Sequence, residues 1–154
     1  MQRSGVTGLA DPTVLEFAGQ RWLLSHGDAL CLDDVDYQRF RSVARSDQWQ
    51  QQFLAQPLAV RREQARAIRN QSEARKGAGE VYADVDTAAA CDWLRSAEAH
   101  TLIHGHTHRP GEHRVAKNLS RVVLSDWDAT AQPPRADILR LTASGLQRLP
   151  PDGW

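Results

Sequence analysis

Leu102-Ile103-His104-Gly105-His106-Thr107-His108-Arg109-Pro110 opens as a short apolar run and breaks at once into histidine and glycine. An upstream stretch, Leu24-Ser25-His26-Gly27-Asp28, does the same. Each reads as a buried β-strand ending in imidazole, beside a glycine that lets the backbone turn sharply. Imidazoles gathered at strand ends can converge on a metal ion. His104 and His106 are two residues apart, so an extended backbone would place both rings on one face, within reach of one ion or of two adjacent ions. A lone histidine is more often a surface or core residue. Three at two strand ends, each next to glycine, favour ligation.

Working outward, Thr13–Phe17 and Arg21–Ser25 flank Ala18-Gly19-Gln20 as a β-hairpin whose second strand delivers His26. Asp33 and Asp34 can cap a helix carrying Tyr37, Phe40 and Val43 at helical spacing. Ser46-Asp47 can cap a second, with Trp49, Phe53 and Leu54, that stops at Pro57. A third runs from about Leu58 to Arg75 and ends in a loop at Lys76-Gly77-Ala78-Gly79. A fourth starts at Asp84 or Asp86 and passes through Cys91, Trp93 and Leu94. Strands follow at Thr101–Ile103, Glu112–Val115, Arg121–Ser125, Asp137–Thr142 and near Leu146–Leu149, punctuated by Pro133-Pro134 and Gly145. Histidines sit on strands and helices lie between them, which predicts an α/β layered core with a helical excursion from about 33 to 79.

The 154 residues suffice for one domain with a core of its own. With 41% apolar and 25% charged residues the composition is globular, and a net charge of zero gives no reason to expect a nucleic-acid partner. Charge is uneven, however. Between Leu58 and Lys76, Arg61, Arg62, Arg66, Arg69, Arg75 and Lys76 face only Glu63 and Glu73. That surface is either a solvated helix face or a basic side turned to anionic lipid headgroups. Cys31 and Cys91 make neither a disulfide framework nor a four-thiolate zinc site. No apolar run reaches membrane-spanning length, and the N-terminus has no signal-peptide core, so a cytoplasmic protein is expected.

An apolar strand closing in His-Gly-His-Thr-His-Arg-Pro, preceded by a lone His-Gly-Asp, resembles the calcineurin-like metallophosphoesterases. His26-Gly27-Asp28-Ala29-Leu30-Cys31-Leu32-Asp33-Asp34, with Tyr37 and Phe40, narrows the likeness to the UDP-2,3-diacylglucosamine diphosphatase family of lipid A biosynthesis. Ser72, Asp84-Val85 and Val123-Leu124-Ser125-Asp126-Trp127 fit the same family, from about Gly5 to the C-terminus. The resemblance implies a layered α/β/β/α sandwich in which residues 33–79 form a helical lid. It implies Mn²⁺-dependent hydrolysis of the pyrophosphate of UDP-2,3-diacylglucosamine to UMP and 2,3-diacylglucosamine 1-phosphate. The enzyme would act at the inner face of the cytoplasmic membrane as a peripheral protein.

By motif match, His26 and His104 bind one ion of a two-Mn²⁺ centre and His106 the other, while Asp34, Ser72, Lys76 and His104 contact substrate. The family expects a polar residue where Lys76 stands and a further lysine near Gly79, which this chain lacks. Asp28 either hydrogen-bonds a ligating imidazole or caps the turn. His108 orients the loop or contacts solvent rather than metal, His100 and His113 are surface residues, and Trp22, Trp93 and Trp127 are core rather than ligand-stacking.

The family's other ligands come from an Asp-x-His strand end, a Gly-Asp-x-x-Asp segment and a Gly-Asn-His/Arg-Asp turn. None occurs here. The expectation is therefore a C-terminal portion, with the N-terminal strands of the sandwich missing and little or no activity alone. Two rivals stand beside it: another metallophosphoesterase acting on nucleotides or phosphodiesters, and a non-catalytic remnant that serves as a binding module.

Overall fold

In the computed structural model the described residues are 5–77 and 83–152, without the side chains of 71–73 and 75–77. Two compact units result, one formed by the residues up to Cys31 together with those from Asp84 onward, the other by Leu32–Ala83. The mixed α/β character expected from the sequence holds.

The first unit is built on a five-stranded sheet. β1 (Thr13–Phe17) and β2 (Gln20–Ser25) form an antiparallel hairpin with Phe17 opposite Gln20. Its two-residue turn, Ala18 and Gly19, has positive φ at both positions, the geometry that matches the right-handed twist of the flanking strands. β3 (Thr101–His104) pairs in parallel with β2 on one side and with β5 (Leu119–Val123) on the other. β4 (Gly111–Ala116) closes the far edge antiparallel to β5, giving the order β1-β2-β3-β5-β4.

Parallel neighbours need a long crossover. Between β2 and β3 it returns through α4 (Thr87–Ser96), which Asp86 caps by accepting the Ala89 N–H at 2.7 Å. Where the chain leaves this unit and re-enters it, the Asp86 N–H donates to the Leu30 carbonyl at 2.8 Å. α4 packs on β3 and β4, and Leu23, Ala90, Leu94, Leu102 and Val123 form a core with almost no solvent contact. A separate hairpin, β6 (Ile138–Thr142) and β7 (Gly145–Leu149), is tied to the sheet by Arg148, which donates to the Val123 carbonyl at 2.7 Å.

The second unit is helical. α1 (Val35–Ala44) is capped by Asp34, which accepts the Tyr37 N–H at 3.0 Å, and α2 (Asp47–Ala55) by Ser46, which accepts from Trp49. α3 spans Leu58–Gly77, so the helix continues through the lysine and glycine expected to end it. Trp49 and Phe53, one turn apart on α2, stack with ring centroids 4.8 Å apart.

Other sequence-based assignments change as well. Trp127 is 69% exposed rather than core, because it follows β5 in irregular chain, where its indole N–H donates to the Asp137 carbonyl at 3.1 Å. Ser125 lies beyond the end of β5. Trp22 is buried as expected, and Trp93 is half-buried.

Candidate metal and substrate site

The parallel register sets Ser25 beside His104, so the two histidine-bearing turns leave the sheet side by side. They are stitched together by the Gly105 N–H, which donates to the His26 carbonyl at 3.1 Å. Gly27 makes the approach possible. It has φ +99°, and a Cβ there would lie 2.8 Å from His104 Nδ1. Asp11 braces the same turn, accepting the Ser25 hydroxyl at 2.7 Å and the His26 N–H at 3.3 Å.

Asp28 is 1% exposed, and its Oδ1 stands 3.1 Å from His26 Nδ1. The His26 ring is half-exposed, and the contact is an ion-pair approach whose geometry does not make a hydrogen bond. Asp28 also opens a short 3₁₀ turn, so both readings of it remain open.

His106 does not lie alongside His104. The backbone at His106 has φ +66°, so the segment is turned rather than extended, and the His106 ring comes to 5.0 Å from that of His26. The expectation of a shared face for His104 and His106 is corrected accordingly: alternation holds only on pleated backbone, and β3 ends at His104.

His104 is fully buried. Its Nδ1 is 2.9 Å from the Gly105 carbonyl, which can only accept, so Nδ1 carries the proton and Nε2 the lone pair. Arg121 Nη1 approaches that Nε2 to 3.4 Å. The same guanidinium forks onto Asp84 with two 2.8 Å bonds, and Arg109 lies 3.8 Å from the same carboxylate. The bonds from Arg121 hold the Asp84 carboxyl down at about 2, against the opposing pull of partial burial.

Sequence reading missed the Asp84–Arg121 pair. The signal was an arginine directly before the apolar Val122-Val123 of a strand, a position that calls for a buried counter-charge.

Burial lowers the pKa of His104, the Gly105 hydrogen bond pulling the other way. A histidine held neutral in the fold stabilises it fully above the ordinary value near 6.5, and the contribution is lost as pH falls below that value. Thermal melts should therefore drop between pH 7 and pH 5, and the drop should shrink in His104→Gln. Equal slopes in both proteins count against this assignment.

Around these groups, His108 is exposed, with its Nδ1 3.6 Å from Asp126, while His100 and His113 are exposed as expected. An open apolar cleft of about 310 Å³ adjoins His26, lined by Leu9, Thr13, Leu24, Ile103 and Leu124. Asp34 caps α1, and the side chains of Ser72 and Lys76 lie outside the described ones. As a metal centre the set is incomplete. Among the described residues no three His, Cys, Asp or Glu side chains stand together as a ligand set, and one nitrogen of His104 faces a guanidinium. Among them, too, no helix is long and apolar enough to cross a membrane.

No protein-family profile matches the chain. Individual relatives do. A UDP-2,3-diacylglucosamine hydrolase of Chromobacterium violaceum is 47% identical over 151 residues, covering 96% of this chain and 61% of the relative. One of Bordetella pertussis is 42% identical over 144 residues, covering 90% and 56%. One of Xanthomonas campestris pv. campestris is 42% identical over 156 residues, covering 94% and 61%. The chain thus spans somewhat less than two thirds of the length of these curated relatives. Along almost its whole length, then, the chain is similar to curated proteins named UDP-2,3-diacylglucosamine hydrolase, of which it matches a C-terminal portion.

Proposed function

We propose that this chain forms part of a hydrolase that cleaves the pyrophosphate of UDP-2,3-diacylglucosamine in lipid A biosynthesis. Water adds across one P–O bond of the diphosphate and yields UMP and 2,3-diacylglucosamine 1-phosphate. The observation that carries this reading is the 47% identity over 96% of the chain to a protein of that name, with three imidazoles at two neighbouring strand ends. In the complete enzyme, His26 and His104 would serve one Mn²⁺ and His106 the other. The three imidazoles do not make that centre by themselves, so ligands from outside these residues are required.

What this chain supplies is positioning. Asp28 stands beside Nδ1 of His26, and the turned backbone at His106 brings a second imidazole to 5.0 Å from the His26 ring. Substrate contacts are assigned to His104, Asp34, Ser72 and Lys76. The segment 33–79 is assigned as a lid over the acyl chains, within an α/β/β/α sandwich that further strands complete. Val35, Val43, Leu54 and Leu58 are each more than half exposed, which suits a unit that handles lipid. The arginines of α3 suit a peripheral position on the cytoplasmic face of an anionic membrane.

The test joins this chain to the remaining portion of the Chromobacterium violaceum relative and measures UMP release from UDP-2,3-diacylglucosamine with Mn²⁺. The chimera should be active and its His106→Ala form reduced at least about 100-fold, the scale on which loss of a catalytic contact is read. The 154-residue chain alone should release no UMP. A chimera that spares this substrate but cleaves a simple phosphodiester supports the broader metallophosphoesterase reading instead. One that binds ligand without turnover supports a binding module.

A further inference from the structure

The five-stranded sheet ends in two edges, and their sequences differ in kind. A strand with unpaired N–H and C=O groups along one side is a template for another chain, and such edges are commonly blunted by charged side chains or irregular register. β4 carries both devices. Glu112, His113 and Arg114 are exposed in succession, and the register against β5 shifts between Arg114 and Ala116. β1 carries neither. Its residues, Thr-Val-Leu-Glu-Phe, keep regular register with β2, and its outer side is unpaired among the described residues. Its one charge, Glu16, is taken up by Arg21 on the neighbouring strand. Leu15 and Phe17 are 37% and 42% exposed and, two apart on pleated backbone, share a face.

The hairpin decides which backbone groups point outward. Phe17 and Gln20 close a two-residue turn and so exchange hydrogen bonds, and bonded and non-bonded positions alternate along an antiparallel pair. Thr13, Leu15 and Phe17 thus turn their N–H and C=O groups toward β2. Val14 and Glu16 turn theirs to the free side.

We propose that β1 is a pairing edge for a second copy of this chain, joined antiparallel about a two-fold axis at Leu15. Val14 then faces Glu16 of the second copy on either side of the axis. Each N–H donates to the opposing carbonyl, so no outward group of Val14 or Glu16 is left over. Leu15 meets its own counterpart at a non-hydrogen-bonded position, where side chains come closest, and Thr13 meets Phe17. No like charges oppose one another, because Glu16 lies across from Val14. A contact self-complementary in backbone, apolar stripe and charge is what a two-fold pair requires, and it stops at two copies because pairing consumes the edge. Five residues a side cover much less than the roughly 1,200 Å² of a stable interface, so the pair forms at high concentration and dissociates on dilution. The pairing makes no use of the histidine turns and does not depend on the proposed hydrolase activity.

Sedimentation equilibrium of the whole 154-residue chain, from about 1 µM to about 1 mM, should show monomer passing to dimer and no further. Leu15→Lys and Leu15→Glu each place like charges at the axis and should weaken dimerisation at least about tenfold. An equimolar mixture of these two variants should recover it, which two misfolded proteins would not do. Under mild oxidation Leu15→Cys should form a disulfide-linked dimer, since opposed Cα atoms at such a position are about 4.5 Å apart. Glu16→Cys, two positions out of register with its counterpart, should not. Cys31 and Cys91 are buried and do not compete. A chain that stays monomeric throughout, a dimer that Leu15→Lys leaves intact, or a mixture that does not recover overturns the proposal. So does cross-linking of Leu15→Cys no faster than that of Glu16→Cys, or growth into larger assemblies, which assigns association to another surface.

Discussion

Replacing Gly27 with valine should lower the stability of the chain by about 3 kcal/mol, from two effects that add. At φ +99° an L side chain is strained wherever it occurs, and a β-branched one more than most. The new Cβ would also lie 2.8 Å from His104 Nδ1 and 3.3 Å from the Gly105 carbonyl. Neither neighbour can retreat easily, because His104 is fully buried and Gly105 is bonded to the His26 carbonyl. For a domain of this size the loss corresponds to a fall of about 10 °C in Tm.

Gly19 provides the internal comparison. It too has positive φ, but a Cβ there would meet nothing within 4 Å. Gly19→Ala should therefore cost only its backbone strain, about 1 kcal/mol. Equal melting temperatures for Gly27→Val and Gly19→Ala would remove the close approach of the two turns as the cause.

Asp84→Ala should cost about 2 kcal/mol at neutral pH. Breaking a fully buried pair by removing one partner costs about 3–5 kcal/mol, because the other charge is left without compensation. Here Arg121 is only 9% exposed but Asp84 is 35% exposed, so water screens the pair and the figure is reduced. The pH dependence follows from the depressed pKa of the carboxyl. Its stabilising contribution is present above the ordinary value of 3.8 and is lost as pH falls through about 2. Chemical denaturation of wild type and variant at pH 7 and at pH 2 should give a gap that closes in acid. A gap of the same size at both values assigns the effect to lost packing of the side chain, not to charge.

Much of the architecture was legible because its causes are local. Asp34, Ser46 and Asp86 each sit where a helix begins with unpaired N–H groups, and each accepts one of them. The Ala18-Gly19 turn and the apolar runs on either side of it marked the hairpin for the same reason. The candidate site was only half legible. His26 and His104 are visible as motif residues, and their adjacency follows from parallel pairing of strands far apart in sequence. The conformation of His106 was not visible, since nothing in Gly105-His106-Thr107 announces positive φ at a histidine. Nor was the partnership of Arg121 with Asp84, which are 37 positions apart and meet only because the strand register and the lead-in to α4 bring them together. Trp127 misled for a different reason: an indole can lie on the surface when a carbonyl there accepts its N–H.

The hydrogen bond between Leu30 and Asp86 bears on how such a chain can diversify. It closes the sheet-bearing unit upon itself at the very point where the helical segment departs and returns. The strand ends that carry the histidines are aligned by the sheet, not by the polypeptide running between them. Lineages are then free to lengthen, shorten or exchange the helices without recomposing the turns at His26 and His104. The turns keep their register whatever the helices between them become, a constraint carried by a single main-chain contact.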